Sequence, residues 1–130
     1  PHEEPVLRSG ERVADAVRTM AALGAEAVLF NCSMPEVMEA AVRVAHQALG
    51  NTSEQVRLGV YANAFEASHG EMRAANDGLD EIRKDTTPTN YLAWARQWVD
   101  AGASMVGGCC GIGPEHIAEL ATHLQPSAAR

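Results

Sequence analysis

The sequence predicts a parallel α/β fold, and three observations carry that prediction. Apolar residues first recur at helical spacing, three short strand-like runs then each hand over to a helix, and bulky aromatics are scarce. With two Phe, two Trp and two Tyr, packing has to lean on Ala, Val, Leu and Met, which suits close-packed helices better than a β-sandwich. A length of 130 residues allows one domain, spanning 1–130.

In chain order, Ser9 is expected to cap a helix whose apolar residues Val13, Ala16, Val17, Met20 and Leu23 repeat at three and four, with Gly24 as terminator. The run Ala27 to Asn31 is too short for a helix and rich in strand formers, so it reads as a buried strand ending at Cys32. Ser33-Met34-Pro35-Glu36 reads as a capping box, and Val37, Met38, Ala41, Val42, Ala45 and Leu49 extend one apolar stripe to Gly50. Val56 to Ala62 is the second strand. After a polar stretch from Asn63 to Thr86, Thr87-Pro88 opens a helix that turns Tyr91, Leu92, Ala95, Trp98 and Val99 inward. Ser104 to Gly107 is the third strand, and Gly113-Pro114 starts a last helix with Ile117, Leu120, Ala121 and Leu124 on one face. The connection from 63 to 86 is long for a strand-to-helix link, which marks it as functional or partly disordered. No internal repeat underlies the units.

Ten Lys and Arg against seventeen Asp and Glu give a net charge of −7, a sign that repels phosphate backbones and anionic membranes. No apolar run approaches the roughly 20 residues that span a bilayer, and Pro1 to Pro5 has neither the basic nor the apolar region of a signal peptide. The expected location is the cytoplasm. Three cysteines, an odd number with two adjacent, make no disulfide framework, so metal binding or nucleophilic chemistry is the better reading in a reducing compartment.

Two architectures fit the pattern: a small open sheet of three parallel strands, or three consecutive units of a (β/α)8 barrel. In both, ligands gather at the C-terminal ends of the strands, where Cys32, Cys109 and Cys110 all fall. Neighbouring residues on a strand point to opposite faces, so Cys109 and Cys110 share one metal only if the backbone leaves the extended path. Gly107, Gly108 and Gly111 offer that freedom. Three thiolates from strand ends form a zinc site with one position open for substrate. The other reading of the same residues makes Cys32 and one of the pair small buried apolar groups.

Asn31-Cys32, Gly107-Gly108-Cys109-Cys110-Gly111 and Pro114-Glu115-His116-Ile117 resemble the zinc-site signature of the homocysteine S-methyltransferases, which include betaine-dependent enzymes and the homocysteine domain of cobalamin-dependent methionine synthase. The approach Trp98-Val99-Asp100-Ala101-Gly102-Ala103 is similar to that family as well, and the likeness covers nearly the whole chain. The resemblance implies a (β/α)8 barrel of which this chain is the C-terminal three βα units, with Cys32, Cys109 and Cys110 as ligands of Zn2+. It implies homocysteine and a small methyl donor as partners, and transfer of the methyl group to a zinc-activated thiol to give methionine. Two positions depart from the family's usual pattern: Leu29 stands where glycine is usual, and Tyr61-Ala62-Asn63 stands for Tyr-Pro-Asn.

A closed barrel needs roughly 250 residues, so more than half of it lies outside this chain, with the groups expected to hold the substrate's amino group. The chain alone is therefore expected to be inactive and to associate with itself or with the missing barrel half. A non-catalytic zinc-binding or assembly module is the alternative. Asn63, ending the middle strand, is a candidate for orienting the substrate or the groups around the metal, against a simple turn role; Asn31 has a similar balance. His116 reads as a solvated residue at a helix start, since three cysteines already suffice for a metal. His69, Glu66, Glu71 and the charges from Asp77 to Asp85 read as a solvated loop face, and Trp94 and Trp98 as core or interface.

Overall fold

The computed structural model describes residues 4–52, 55–64 and 83–124. His69, Glu66, Glu71 and Asp77 lie outside the described residues.

Helix α1 spans Val13–Ala22, and its N-cap is Arg12, not Ser9. The preceding residues are used in a turn: Leu7 N–H donates to Glu11 O at 2.8 Å and Gly10 N–H to Leu7 O at 2.9 Å. Only beyond that turn can the helix begin. Its C-terminus ends as expected, with Gly24 at φ 93°. Gly24 N–H donates to Ala21 O and Ala25 N–H to Met20 O, both at 3.1 Å, which closes a Schellman motif.

Strand β1 is Ala27–Asn31 and helix α2 is Pro35–Leu49. The capping box expected at Ser33 does not form, because Met34 takes the N-cap and displaces the Ser-x-x-Glu spacing by one residue. Ser33 Oγ instead faces Asn31 O at 3.5 Å. Strand β2 (Arg57–Ala62) leads to helix α3 (Pro88–Ala101), whose N-cap Thr87 accepts from Asn90 N–H at 3.2 Å. Strand β3 (Met105–Gly108) and helix α4 (Pro114–His123) complete the third unit.

The three strands are parallel in the order β1-β2-β3. The helices follow the same order in one layer, α1 on α2, α2 on α3 and α3 on α4. Beneath them Leu58, Val60 and Ala62 of β2 are buried, with Val28, Phe30 and Val106 half-buried beside them. Trp98, Tyr91, Met38, Val17 and Val42 fill the space between helices and sheet. Val37, Val99 and Ile117, expected inward, lie at the margins of their stripes and are exposed.

The opposite side of the sheet carries no layer among the described residues. Leu29 is 44% exposed there, and with Tyr61, Met105 and Gly107 it lines a shallow depression of about 340 Å³. This corrects one expectation: among the described residues strand β1 is an edge strand and not a buried one. Val28, Phe30 and Val60 face the helices and Met105 the uncovered side: Phe30 pairs with Val60 and Val60 with Val106, one residue out of step with Met105.

Candidate metal centre

All three cysteines lie just beyond the C-terminal ends of β1 and β3, and main-chain bonds to β2 hold them there. Cys32 N–H donates to Tyr61 O and Cys109 N–H to Ala62 O, each at 2.9 Å, so the strand pairing continues by one residue on both sides of β2. Asn63 N–H then reaches Ser33 O at 3.0 Å, and Ala64 N–H reaches Cys110 O at 2.9 Å. The two cysteine-bearing loops are thus stitched to one strand between them.

The backbone leaves the extended path at both loops. Cys32 sits at φ 53°, the one non-glycine residue with positive φ among the described residues. A left-handed residue with a side chain is disfavoured, and such strain collects at functional sites. On the other side Ile112 N–H donates to Cys109 O at 3.1 Å in a tight turn, and Gly111 stands at φ 79°. A Cβ at Gly108 would fall 2.2 Å from Ile112 Cγ2, and one at Gly111 2.9 Å from Ala64 Cβ, so both positions require glycine. Gly107 differs: a Cβ there would meet only Tyr61 Cβ at 3.8 Å, so it contributes room and not conformational freedom.

The consequence is that the three Sγ atoms lie within 4.8 Å of one another. Cys109 Sγ and Cys110 Sγ are 3.8 Å apart. A tetrahedral ion with metal–sulfur bonds of about 2.3 Å holds its sulfurs roughly 3.8 Å apart, so this donor set fits a single soft ion. Burial pushes the Cys32 thiol up, but hydrogen bonds from Cys109, Asn63 and Cys110 outweigh burial and leave it below its ordinary value. The Cys109 thiol is pushed up to about 11, by burial first and then by its hydrogen bond to Cys32.

Asn63 lies beside the cluster, its Nδ2 donating to Cys32 O at 3.0 Å and facing Cys32 Sγ at 3.8 Å. Asn31 is exposed at the end of β1. His116 is not solvated, contrary to expectation: it is 8% exposed. Its Nδ1 accepts from Gly113 N–H at 3.1 Å, which puts the ring proton on Nε2, 2.6 Å from Thr86 O. Nδ1 caps α4 itself and Nε2 ties α4 to the segment that precedes α3, so neither ring nitrogen is left for a metal. Trp98 is core, donating Nε1–H to Pro35 O at 3.3 Å and packing edge-on to Tyr91 at 5.4 Å. Trp94 lies half-buried under the guanidinium of Arg83, 5.3 Å from its ring centre.

Two contributors escaped the sequence reading. Periodicity places Tyr91 in the core, but nothing local shows that its hydroxyl donates to Gly107 O at 2.7 Å and so ties α3 to the strand that carries Cys109. Arg83 grips Glu36, 47 residues earlier, and no sequence pattern signals that pairing.

A model of the family described as homocysteine S-methyltransferase matches residues 1–124. Homocysteine S-methyltransferase 3 of Arabidopsis thaliana is 29% identical over 120 residues, covering 91% of this chain and 30% of the relative. Homocysteine S-methyltransferase 2 of Saccharomyces cerevisiae is 29% identical over 135 residues, covering 95% of this chain and 37% of the relative. Homocysteine S-methyltransferase YbgG of Bacillus subtilis is 32% identical over 111 residues, covering 82% of this chain and 29% of the relative. The chain spans about a third of the length of these curated relatives. By the match over residues 1–124 and these likenesses, the chain belongs to the homocysteine S-methyltransferase family.

Proposed function

We propose that this chain is the metal-bearing segment of a zinc-dependent homocysteine S-methyltransferase, three consecutive βα units of a (β/α)8 barrel in the cytoplasm. The observation that carries the reading is the convergence of three sulfurs within 4.8 Å at the C-terminal end of the sheet, in a chain matched by that family over residues 1–124. Sequential strand order with every helix on one face is the arrangement of a barrel arc, whereas a doubly wound sheet carries helices on both faces. On this reading the uncovered face of Leu29, Tyr61 and Met105 looks into the barrel.

Cys32, Cys109 and Cys110 would hold the ion, and the fourth position would take the thiol of homocysteine. Zinc bound there supplies the lowering of that thiol's pKa, from near 8.5 into the range where it is ionised at neutral pH. Three thiolate ligands leave the site at −1 before substrate arrives, which favours an electron-rich sulfur over strong Lewis acidity and suits alkylation better than hydrolysis. Asn63 donates from Nδ2 to Cys32 O, and from that loop it would orient the acceptor. The acceptor sulfur then attacks the methyl carbon of a cationic donor in line; the new S–C bond gives methionine, and the donor leaves with the electron pair of the broken bond.

Metal analysis and turnover test the reading together. The purified chain is expected to carry one zinc per protomer and to lose most of it on Cys32→Ser, Cys109→Ser or Cys110→Ser, because soft thiolates provide the affinity. Full occupancy after Cys109→Ser overturns the three-thiolate site. Turnover of homocysteine is expected only when a polypeptide carrying the remaining strands is supplied, since positioning of two substrates provides much of the rate. Turnover by the chain alone with a sulfonium or betaine donor would place both pockets within these 130 residues.

A further inference from the structure

Arg83 joins three parts of the chain that are distant in sequence. Its Nη1–H donates to Glu36 Oε2 at 2.8 Å, and Nη2 also reaches Glu36 Oε1. Its Nε–H donates to Asp85 Oδ1 at 2.8 Å and Nη2–H to Asp85 Oδ2 at 2.6 Å. With its plane over Trp94, the side chain is 13% exposed, although Glu36 and Asp85 are 46% and 56% exposed. The backbone of the same residue is tied elsewhere: Arg83 N–H donates to Ala64 O at 2.7 Å, and Ala64 N–H donates to Cys110 O at 2.9 Å. Thr86 Oγ1 donates to Arg83 O at 2.9 Å, a turn within the segment, and Thr86 O lies 2.6 Å from His116 Nε2 of α4.

These bonds lead to the two segments that carry the sulfurs. Glu36 lies in the first turn of α2, four residues after Cys32, and Ala64 is one bond from Cys110. Arg83 therefore spans from the segment carrying Cys32 to the segment carrying Cys110, with a side-chain fork on one and a main-chain bond toward the other. We propose that Arg83 is a positioning residue for the three-cysteine site, holding the Cys32 loop against the Cys110 loop at the separation one metal ion requires. The inference rests on the metal reading above and adds to it what sets the spacing.

An ion pair with partners this exposed contributes little to global stability, so the effect of the clasp falls on spacing more than on melting. Lysine cannot replace it, because a single ammonium offers no planar fork for two carboxylates. That separates the proposal from a general need for positive charge.

The test measures zinc affinity of the full chain by competition with a chromophoric chelator, for wild type, Arg83→Ala, Arg83→Lys, Glu36→Gln and a control, Arg12→Ala. Arg12 forms an exposed pair with Glu4 at 2.6 Å ahead of α1. Arg83→Ala and Arg83→Lys are each expected to weaken zinc binding by roughly tenfold or more, the usual loss when a group that orients a metal ligand is removed. Glu36→Gln should lose less and Arg12→Ala nothing. A second readout needs no metal. In a Cys109→Ser background the short thiol-reactive cross-linker dibromobimane should bridge Cys32 and Cys110, each thiolate displacing one bromide, and Arg83→Ala should abolish the fluorescent product.

A folded Arg83→Ala with wild-type zinc affinity and undiminished cross-linking overturns the proposal. If Arg83→Ala does not fold, Glu36→Gln decides, and unchanged affinity with unchanged cross-linking overturns it equally. If the wild-type chain takes up no zinc, the metal reading fails by itself, and the cross-linking result alone decides whether Arg83 sets the spacing.

Discussion

The two faces of the sheet are built from alternate residues of the same three strands, yet they differ in kind. On one face Leu58, Val60 and Ala62 are at most 2% exposed under the helix layer. On the other, Leu29, Tyr61 and Met105 border an open depression, and glycines at 59 and 107 take the place of side chains. A period of two thus separates the covered surface that holds the fold together from an uncovered surface that leads up to the cysteines. Stability and chemistry are divided between the faces, and substitutions on each should behave accordingly.

The largest expected effect concerns the uncovered face as a whole. With that face bare and the outer edges of β1 and β3 unpaired among the described residues, the chain is expected to associate at micromolar concentration. Sedimentation should show a species heavier than one chain. A sharp monomer with cooperative thermal unfolding would mean that three units close their own core, and the barrel-arc reading would not hold for the isolated chain.

Next come single core deletions. Trp98 is fully buried between α3, α2 and the sheet, and Trp98→Ala should cost about 3–5 kcal/mol in denaturant unfolding. Leu29→Ala on the bare face should cost under about 1 kcal/mol. Equal costs at the two sites would show that the uncovered face is packed in solution.

Gly59 sharpens the comparison because it sits where the bare face is most crowded. A Cβ there would lie 2.9 Å from Leu29 Cδ2 and 3.1 Å from Met105 Cβ. Gly59→Ala should destabilise by about 1–3 kcal/mol, and Leu29→Ala should relieve most of it in a double-mutant cycle. Additive costs would mean that Leu29 does not rest on Gly59.

The smallest effect is electrostatic. Arg83, by hydrogen bonding first, holds the Glu36 carboxyl below its ordinary value, and it does the same to Asp85. A carboxyl whose folded pKa is depressed adds stability above its unfolded value, about 4.3 for Glu, and that stability is lost as pH falls through the folded value. Glu36→Gln should therefore melt slightly below wild type at neutral pH, by less than about 1 kcal/mol, and the gap should close in acid. A gap that persists at the lowest pH would assign it to packing.

The elements were legible because their signals are local. The strand at Ala27–Asn31, the proline-opened helices at Pro88 and Pro114 and the terminator Gly24 each depend on residues within a few positions. Ser9 and Ser33 misled for an equally local reason: a capping motif is defined to the residue, and a turn at Leu7 to Glu11 or a one-residue displacement at Met34 removes it. His116 looked solvated because its partners Thr86 and Tyr91 come from α3 and the residues just before it, some 25–30 positions earlier in the chain.

By itself the sequence determined that the chain is a parallel α/β unit with its cysteines at the C-terminal ends of two strands, since periodicity, glycine and proline act over a few residues. Family membership was legible in the Gly-Gly-Cys-Cys-Gly element and the residues around it. Only the tertiary structure decided which strand face the helices cover, that Cys32 turns to φ 53° to bring its sulfur to the other two, and that Arg83 clasps Glu36 across 47 residues. Those outcomes follow from pairing register and from contacts between segments far apart in the chain, where local propensity carries no information about which partner is met.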